Sequence, residues 1–190
     1  MTVRLSLIAP ALTAALRQAR FDDAGPVEPV ADPPQLPAGV RVLRSPSGRC
    51  AATATALGVP DAEVEQALAG CAMGRWRGRT LAELAELGSG ETESVAAWLT
   101  DPDAAPHGGE SLRALRTRVA AWLTSPELTG PSGRLVVFAE PDVIRAAVAE
   151  ALGAPQESFW RLDVRPLETV ELSGRAGRWN VRIGAPLTGD

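Results

Sequence analysis

The sequence predicts an α/β fold, a three-layer sandwich in which a mostly parallel central sheet is flanked by helices and followed by a C-terminal hairpin. Three observations support this prediction. Apolar strand-like segments alternate with helical segments along the chain. Residues 134–139 (RLVVFA) are continuously apolar, as in strands buried on both faces of a parallel sheet. Two late strand-like segments within 168–183 are joined through SGRAG, which has the glycines that a hairpin needs.

The N-terminal part is predicted as strand, helix, loop, strand and helix. Residues 3–9 form the first strand and 12–20 a short amphipathic helix. We prefer this to a weak signal peptide, because the apolar run is short and Pro10 interrupts it. Residues 21–39 contain five prolines, which exclude a helix and indicate a loop. A second strand and a helix that Gly58 ends are expected at residues 40–45 and 48–58.

The middle of the chain is predicted to be mainly helical. Residues 74–79 (GRWRGR) are interpreted as extended, with three arginines on one side and Trp76 on the other. Helices follow at residues 80–87 and 91–100, then a loop at 101–109 and the clearest helix at 110–125. The apolar residues of that last helix recur at helical spacing: Leu112, Leu115, Val119, Trp122 and Leu123.

The C-terminal part is predicted as strand, helix and late strands. The strand at 134–139 leads into a helix that Gly153 ends. Its inner face is expected to hold Val143, Ile144, Ala147, Val148, Ala151 and Leu152. Residues 159–164 (FWRLDV) are interpreted as a further strand before the hairpin pair at 168–183.

Composition narrows the function classes. The chain has 190 residues without an internal repeat, so residues 1–190 are expected to form a single domain. A net charge of −4 argues against nucleic acid and anionic membranes as partners, and no apolar run of about 20 residues is present. Cys50 and Cys71 match no metal or redox spacing, so we expect reduced structural thiols, a cytoplasmic protein, no metal and no cofactor.

Most of residues 40–165 is covered by four motif-like segments. They are SPSGRCAATATALG, GRWRGRT, PHGGESLRALRTRVAAWL and VVFAEPDVIRAAVAEALGAPQESFWRLDV. In this order and spacing the chain resembles the histidine phosphatase superfamily, the phosphoglycerate-mutase-like proteins. The resemblance implies their fold and, in active members, phosphatase or phosphoglycerate mutase activity on a phosphorylated or otherwise anionic small molecule.

The same resemblance implies that the reactive positions have been replaced. In active members a histidine after the first strand is phosphorylated, and two arginines, a second histidine and an acidic proton donor assist it. Here the first arginine falls on Ala9, the nucleophile on Pro10, the acidic donor near Gly70 and the second histidine on Glu140. Only Arg49 keeps its type, so no catalytic residue is assigned.

Proline carries no nucleophile and no N–H, so with Pro10 both are missing at the end of the first predicted strand. Pro10 and Pro141 each suit the first turn of a following helix. Asp142 adds a carboxylate near the start of the helix, where the dipole favours it. Our hypothesis is that Glu140 forms a bidentate ion pair with Arg49 and fills the anion site from within.

Several candidate ligand-binding residues have two interpretations. His107, the only histidine, is a substitute nucleophile or acid/base, or else an exposed loop residue before a glycine turn. Glu110 and Ser111 contact a ligand or cap the helix at 110–125. The pair Glu140 and Asp142 serves a new acid/base reaction or a metal, or has neither role.

Aromatic and basic residues have simpler interpretations. The arginines of 74–79 form an anion-binding or nucleic-acid-binding patch or, since no other segment is basic enough to extend it, a solvated strand edge. The tryptophans of the predicted helices and late strand are expected to pack in or near the core: Trp98, Trp122 and Trp160.

Three functions therefore stay open. The first is a degenerate, non-catalytic module in the cytoplasm that binds a ligand or regulates a partner. The second is an active phosphomonoesterase or other hydrolase that uses His107 or the Glu140 and Asp142 carboxylates. The third is a purely structural partner. Because the proline-rich 21–39 replaces a helix that covers the sheet in the family, we also expect a homodimer.

Overall fold

A six-stranded sheet forms the centre of the computed structural model, which describes residues 2–21, 24–31, 33–128, 133–175 and 177–183. Residues 22, 23 and 32 of the predicted proline-rich loop and residue 176 of the predicted hairpin turn lie outside the described residues. The strands are β1 (Val3–Ile8), β2 (Arg41–Arg44), β3 (Glu63–Val64), β4 (Arg134–Phe138), β5 (Thr169–Arg175) and β6 (Arg178–Ile183). Their order across the sheet is β3-β2-β4-β1-β5-β6.

The sheet is mixed, with its parallel part in the centre. Strands β1, β2, β3 and β4 pair in parallel, while β5 runs antiparallel to β1 and forms a hairpin with β6. Leu7 of β1 lies opposite Val137 in β4 and Val170 in β5, and all three are buried. The predicted fold class, with its C-terminal hairpin, is confirmed.

Helices cover both faces of the sheet. They are α1 (Ala14–Arg17), α2 (Gly48–Ala56), α3 (Leu81–Ala85), α4 (Ser89–Thr100), α5 (Leu112–Leu123) and α6 (Pro141–Ala151). The larger core cluster joins Leu5 and Val137 of the sheet to α5 and α6. A smaller cluster joins Val136 and Phe138, which project from the opposite face, to Cys50 and other residues of α2. These two clusters give the three layers.

Three local predictions are wrong. Residues 12–20 contain only the four-residue α1, because the Thr13 side chain accepts the Leu16 N–H and starts the helix at Ala14. Pro10 therefore does not lie in the first turn of a helix, whereas Pro141 does occupy the first turn of α6. Leu152 is 59% exposed and does not belong to the inner face of α6.

Two predicted strands are short 3₁₀ segments. Residues 74–79 are not extended: Gly74–Trp76 form a 3₁₀ turn, and positive φ angles at Gly74 and Gly78 curve the chain around the buried Trp76. Residues 159–164 are not a strand either, since Gln156–Arg161 form a 3₁₀ helix that buries Phe159. Both segments return the chain to the same side of the molecule, where they border the site described next.

Candidate functional site

A cleft of about 730 Å³ lies at the carboxyl ends of β2 and β4. Its floor is built from the start of α2, the start of α6 and the loop at 69–73. Its rim is aromatic and basic and includes Trp98, Arg145 and Trp160, and the buried Phe159 also contributes to the lining. Clefts in open α/β sheets commonly lie at this edge, where the strands end and the helices begin.

Two neighbouring parallel strands position the floor. After β2, Ser47 caps α2 by accepting the N–H of Cys50 at 3.1 Å, which places Arg49 in the first turn of the helix. After β4, Glu140 precedes α6, whose first residue Pro141 needs no hydrogen-bond acceptor. Because β2 and β4 pair directly, the two helix starts face each other.

The Glu140 carboxylate is bonded at both oxygens. Arg49 Nε donates to Glu140 Oε2 at 2.6 Å, and Nη2 forms an ion pair with the same oxygen. Ser47 Oγ donates to Oε1 at 2.5 Å. The Arg49 side chain is 12% exposed and that of Glu140 is 2% exposed, so this charge pair is nearly dry.

The predicted pairing of Glu140 with Arg49 is thus present, but its geometry differs from the expected fork. Both guanidinium nitrogens reach one oxygen because the hydroxyl of Ser47 takes the other. Ser47 was missed as a site residue. The signal for it was available, since a serine immediately before a predicted helix has a side chain directed at the helix start.

Asp142 is the second carboxylate of the floor. Its Oδ2 accepts the N–H of Cys71 at 2.6 Å and its Oδ1 accepts the N–H of Val143 at 2.8 Å. Burial, and then the nearby Glu140, raise the pKa of this carboxyl. Gly70 lies against both acids: a Cβ there would come 3.1 Å from Glu140 Cγ and 3.6 Å from Asp142 Oδ2.

The thiols next to this floor are poor nucleophiles. Burial raises the pKa of Cys71 to about 12, and burial together with Glu140 raises that of Cys50 well above its usual value. Because the thiolate is the reactive form, both groups stay protonated at neutral pH.

The end of β1 is apolar and closed. Ala9, Pro10 and Ala11 are buried and are not among the residues that line the cleft. The N–H of Ala9 donates to the Glu168 carbonyl at 3.0 Å, and the N–H of Ala11 donates to Thr53 Oγ1 at 3.0 Å. The backbone of residues 9–11 therefore offers no hydrogen-bond donor to the cleft.

His107 is not the exposed loop residue that was expected. It is 1% exposed, and its ring centroid lies 4.9 Å from that of Trp76 and 6.4 Å from that of Trp98. Its Nδ1 accepts the N–H of Gly109 at 3.0 Å. Burial, and then Arg75, lower the pKa of this imidazole. It does not line the cleft, so the structure separates it from Arg49 and Glu140.

Glu110 and Ser111 are engaged in structural contacts. The carboxylate of Glu110 accepts from Arg118 Nε at 3.0 Å and from Nη2 at 2.7 Å. Ser111 caps α5, where its Oγ accepts the N–H of Ala114 at 3.2 Å. Neither residue lines the cleft, and a ligand-binding role for them stays a prediction.

The arginines of 74–79 form no strand edge. Arg75 pairs with Glu91 and donates to the Pro106 carbonyl, which ties the 3₁₀ turn to α4 and the following loop. Arg145, which the sequence analysis did not single out, lies at the rim instead. Its Nε donates to the Leu162 carbonyl at 2.7 Å, and its Cζ lies 6.0 Å from the centroid of Phe159.

Within the described ranges there is no cluster of three or more His, Cys, Asp and Glu residues that could hold a metal ion. No helix in the described part of the chain is long and apolar enough to span a membrane.

Comparison with solved structures shows the same fold in several phosphatases. The alpha-ribazole phosphatase from Shigella flexneri is 20% identical, with 99% of each chain covered and a TM-score of 0.75. The mycobacterial glucosyl-3-phosphoglycerate phosphatase is 22% identical, with 100% of each chain covered and a TM-score of 0.70. A phosphoserine phosphatase variant from Entamoeba histolytica is 13% identical, covers 97% of this chain and 98% of its own, and has a TM-score of 0.75.

A search of curated proteins finds no match to this chain. The family model of the histidine phosphatase superfamily (branch 1) matches residues 37–184, which is most of the sequence. Both the fold and this match agree with the resemblance seen in the sequence motifs. The chain belongs to branch 1 of the histidine phosphatase superfamily.

Proposed function

We propose that this chain is a non-catalytic member of its superfamily that binds an anionic small molecule and serves as a ligand-binding or regulatory module. The observation that carries this function is the occupation of Arg49 by the Glu140 carboxylate. A carboxylate and a phosphate both accept charge-assisted hydrogen bonds from a guanidinium, so Glu140 occupies donors that a phosphate would use. The chain thus supplies its own anion at the floor of the cleft.

The identity of residue 10 and the position of His107 support the same function. Phosphoryl transfer through a covalent intermediate requires an accepting atom in line with phosphorus. Pro10 has none, and the one histidine, His107, is enclosed by Trp76 and Trp98 away from the cleft lining. Loss of a nucleophile alone reduces turnover by about 10⁶-fold in a well-studied hydrolase.

The charges of the floor also oppose a phosphate dianion. One guanidinium, that of Arg49, faces two carboxylates, Glu140 and Asp142. A dianion at Arg49 would have to displace Glu140 and leave it without its cation, which is unfavourable in a dry site. We therefore expect orthophosphate to bind poorly.

The alternative of a hydrolase gains no specific support from the geometry. His107 lies outside the cleft lining, and Glu140 and Asp142 are already bonded to Arg49 and to backbone N–H groups. A homodimer, a cytoplasmic location and a single domain stay predictions from the sequence.

The function is tested by turnover and by phosphate binding. We expect no hydrolysis of p-nitrophenyl phosphate between pH 5 and 9 and no calorimetric signal from orthophosphate. Glu140→Gln removes the competing charge and should allow Arg49 to bind orthophosphate. Glu63→Gln, at an exposed carboxylate paired with Arg41, is the matched control and should behave like the wild type.

Hydrolysis by the wild-type chain that His107→Ala abolishes would contradict the proposed function and favour the hydrolase. Tight binding of orthophosphate by the wild type, unchanged in Glu140→Gln, would contradict the internal occupation of the anion site.

A further inference from the structure

We propose that the cleft takes an organic carboxylate with an aromatic body, whose acid group binds Arg145 at the rim and whose ring lies against Trp98 and Trp160. This assignment rests on the proposed function, because it takes the floor to be closed by Glu140. It adds the class of ligand and the residues that recognise it.

The arginines that line the cleft differ in how they are compensated. Arg49 is paired with Glu140, and Arg20 is paired with Glu83 at 2.9 Å. Arg77 also interacts with other parts of the chain. In the described part of the chain Arg145 has no carboxylate within 4.0 Å, so its charge is the one left for a ligand.

The Arg145 guanidinium is oriented but not saturated. Its Nε donates to the Leu162 carbonyl at 2.7 Å, which fixes the plane of the group beside Phe159. A guanidinium has five N–H donors, so the terminal nitrogens keep donors for a ligand. Two parallel donors match the two oxygens of a carboxylate.

An aromatic wall stands next to this cation. The centroids of Trp98 and Trp160 are 4.8 Å apart with the rings at 70°, and those of Phe159 and Trp160 are 4.9 Å apart at 87°. Trp160 is 36% exposed, so part of a large aromatic side chain is accessible at the mouth of the cleft. Aromatic rings attract a further ring in an edge-to-face or offset arrangement, so this wall favours a ligand with a flat aromatic body.

Cationic ligands fit the cleft less well, because no carboxylate of the floor is open to them. Glu140 accepts from Arg49 and Ser47, and both oxygens of Asp142 accept backbone N–H groups. The volume of about 730 Å³ lies within the usual range for small-molecule sites.

The probe is 1-naphthoate, with 1-naphthalenemethanol as its uncharged counterpart, titrated calorimetrically into the full-length chain. We expect 1-naphthoate to bind with a Kd of about 1 mM or tighter. The alcohol should bind about tenfold more weakly, since it loses the charged hydrogen bonds. Arg145→Gln should weaken 1-naphthoate binding by about tenfold, and Arg145→Lys by less because it keeps the charge.

Two further variants separate ring and charge. Trp160→Ala should weaken both probes by about fivefold, because it removes the aromatic wall. Arg113→Gln, at an exposed arginine of α5 paired with Asp103, is the matched control and should leave both affinities unchanged. Circular dichroism and melting temperature verify that Arg145→Lys and Trp160→Ala are folded.

Failure of this assignment is distinct from failure of the proposed function. Absence of saturable 1-naphthoate binding to the wild type, equal affinity for the alcohol, or unchanged affinity in Arg145→Gln would overturn the assignment alone. Release of 1-naphthol from 1-naphthyl phosphate by the wild type, abolished in His107→Ala, would overturn the proposed function instead.

Discussion

Glu140 and His107 are two buried ionisable groups that the chain stabilises in opposite ways. Glu140 is paired with a guanidinium and a hydroxyl, at the floor of a cleft. His107 is held neutral among tryptophans, with only the Gly109 N–H bonded to Nδ1, and its Nε2 has no hydrogen-bond partner in the described residues.

The two groups differ in whether a partner of opposite charge lies beside the buried side chain. Burial disfavours the charged form of any group unless a partner compensates it. Arg49 compensates Glu140, so the floor keeps a polar network. Arg75 repels the protonated form of His107, so this imidazole contributes to packing and not to an ion pair.

The largest expected effect comes from removing the partner of Glu140. Arg49→Leu leaves a buried carboxylate without its cation, and we expect the free energy of unfolding to fall by about 3–5 kcal/mol. Urea denaturation measures this change. The double variant Arg49→Leu/Glu140→Leu should recover most of the loss, because no unpaired charge remains. A double variant no more stable than Arg49→Leu would show that packing, not charge, is responsible.

A smaller loss is expected at the neutral group. His107→Ala removes ring contacts to Trp76 and leaves the Gly109 N–H without its acceptor, so the free energy of unfolding should fall by about 2–3 kcal/mol. Urea denaturation at pH 7.5 measures it. A loss as large as that of Arg49→Leu would erase the distinction between the two groups.

One part of the pH dependence of stability should come from His107. Burial and Arg75 lower its pKa below 6.5, so the unfolded chain binds more protons just below that pH. Stability should therefore decrease as the pH falls below about 6.5. Asp142 acts in the opposite direction at lower pH, because its raised pKa makes the folded chain the stronger proton acceptor.

Comparison with His107→Phe isolates the histidine contribution, since this variant keeps a ring but does not titrate. The difference in unfolding free energy between wild type and variant should shrink from pH 7.5 to 5.5. A constant difference would mean that His107 does not titrate in this window.

The smallest effect is expected at the uncharged end of β1. Pro10→Ala removes a constraint on the unfolded chain and no ionic contact, so we expect a loss of about 0.4–1 kcal/mol in urea denaturation. A loss above about 2 kcal/mol would indicate that this corner holds an interaction beyond its backbone bonds.

Much of the fold was predictable from the sequence because it depends on patterns among residues that are close in the chain. The strand at 134–139 follows from a continuous apolar run, the stripe of α5 from helical spacing, and the C-terminal hairpin from the glycines between two strand-like segments. The pairing of Glu140 with Arg49 followed from the family motifs, which place both residues at neighbouring strand ends.

Features that depend on distant contacts were not predictable. The burial of His107 is produced by Trp76 of the 3₁₀ turn and Trp98 of α4, two separate elements, whereas its neighbours Pro106 and Gly108 suggest an open turn. From the sequence alone Arg145 is expected to be an ordinary outward-facing residue of α6. Its position at the cleft depends on the 3₁₀ helix at Gln156–Arg161, which brings the chain beside it.

Gly70 has a consequence for how this floor can be altered. A β-carbon at 70 would lie 3.1 Å from Glu140 Cγ, so the Glu140 side chain would have to shift by a few tenths of an ångström to admit one. We therefore expect the two positions to be epistatic: a side chain at 70 should cost less stability when position 140 carries a shorter residue. We expect an acidic side chain rebuilt at 70 to be better accommodated when both codons are changed together than when position 70 is changed alone.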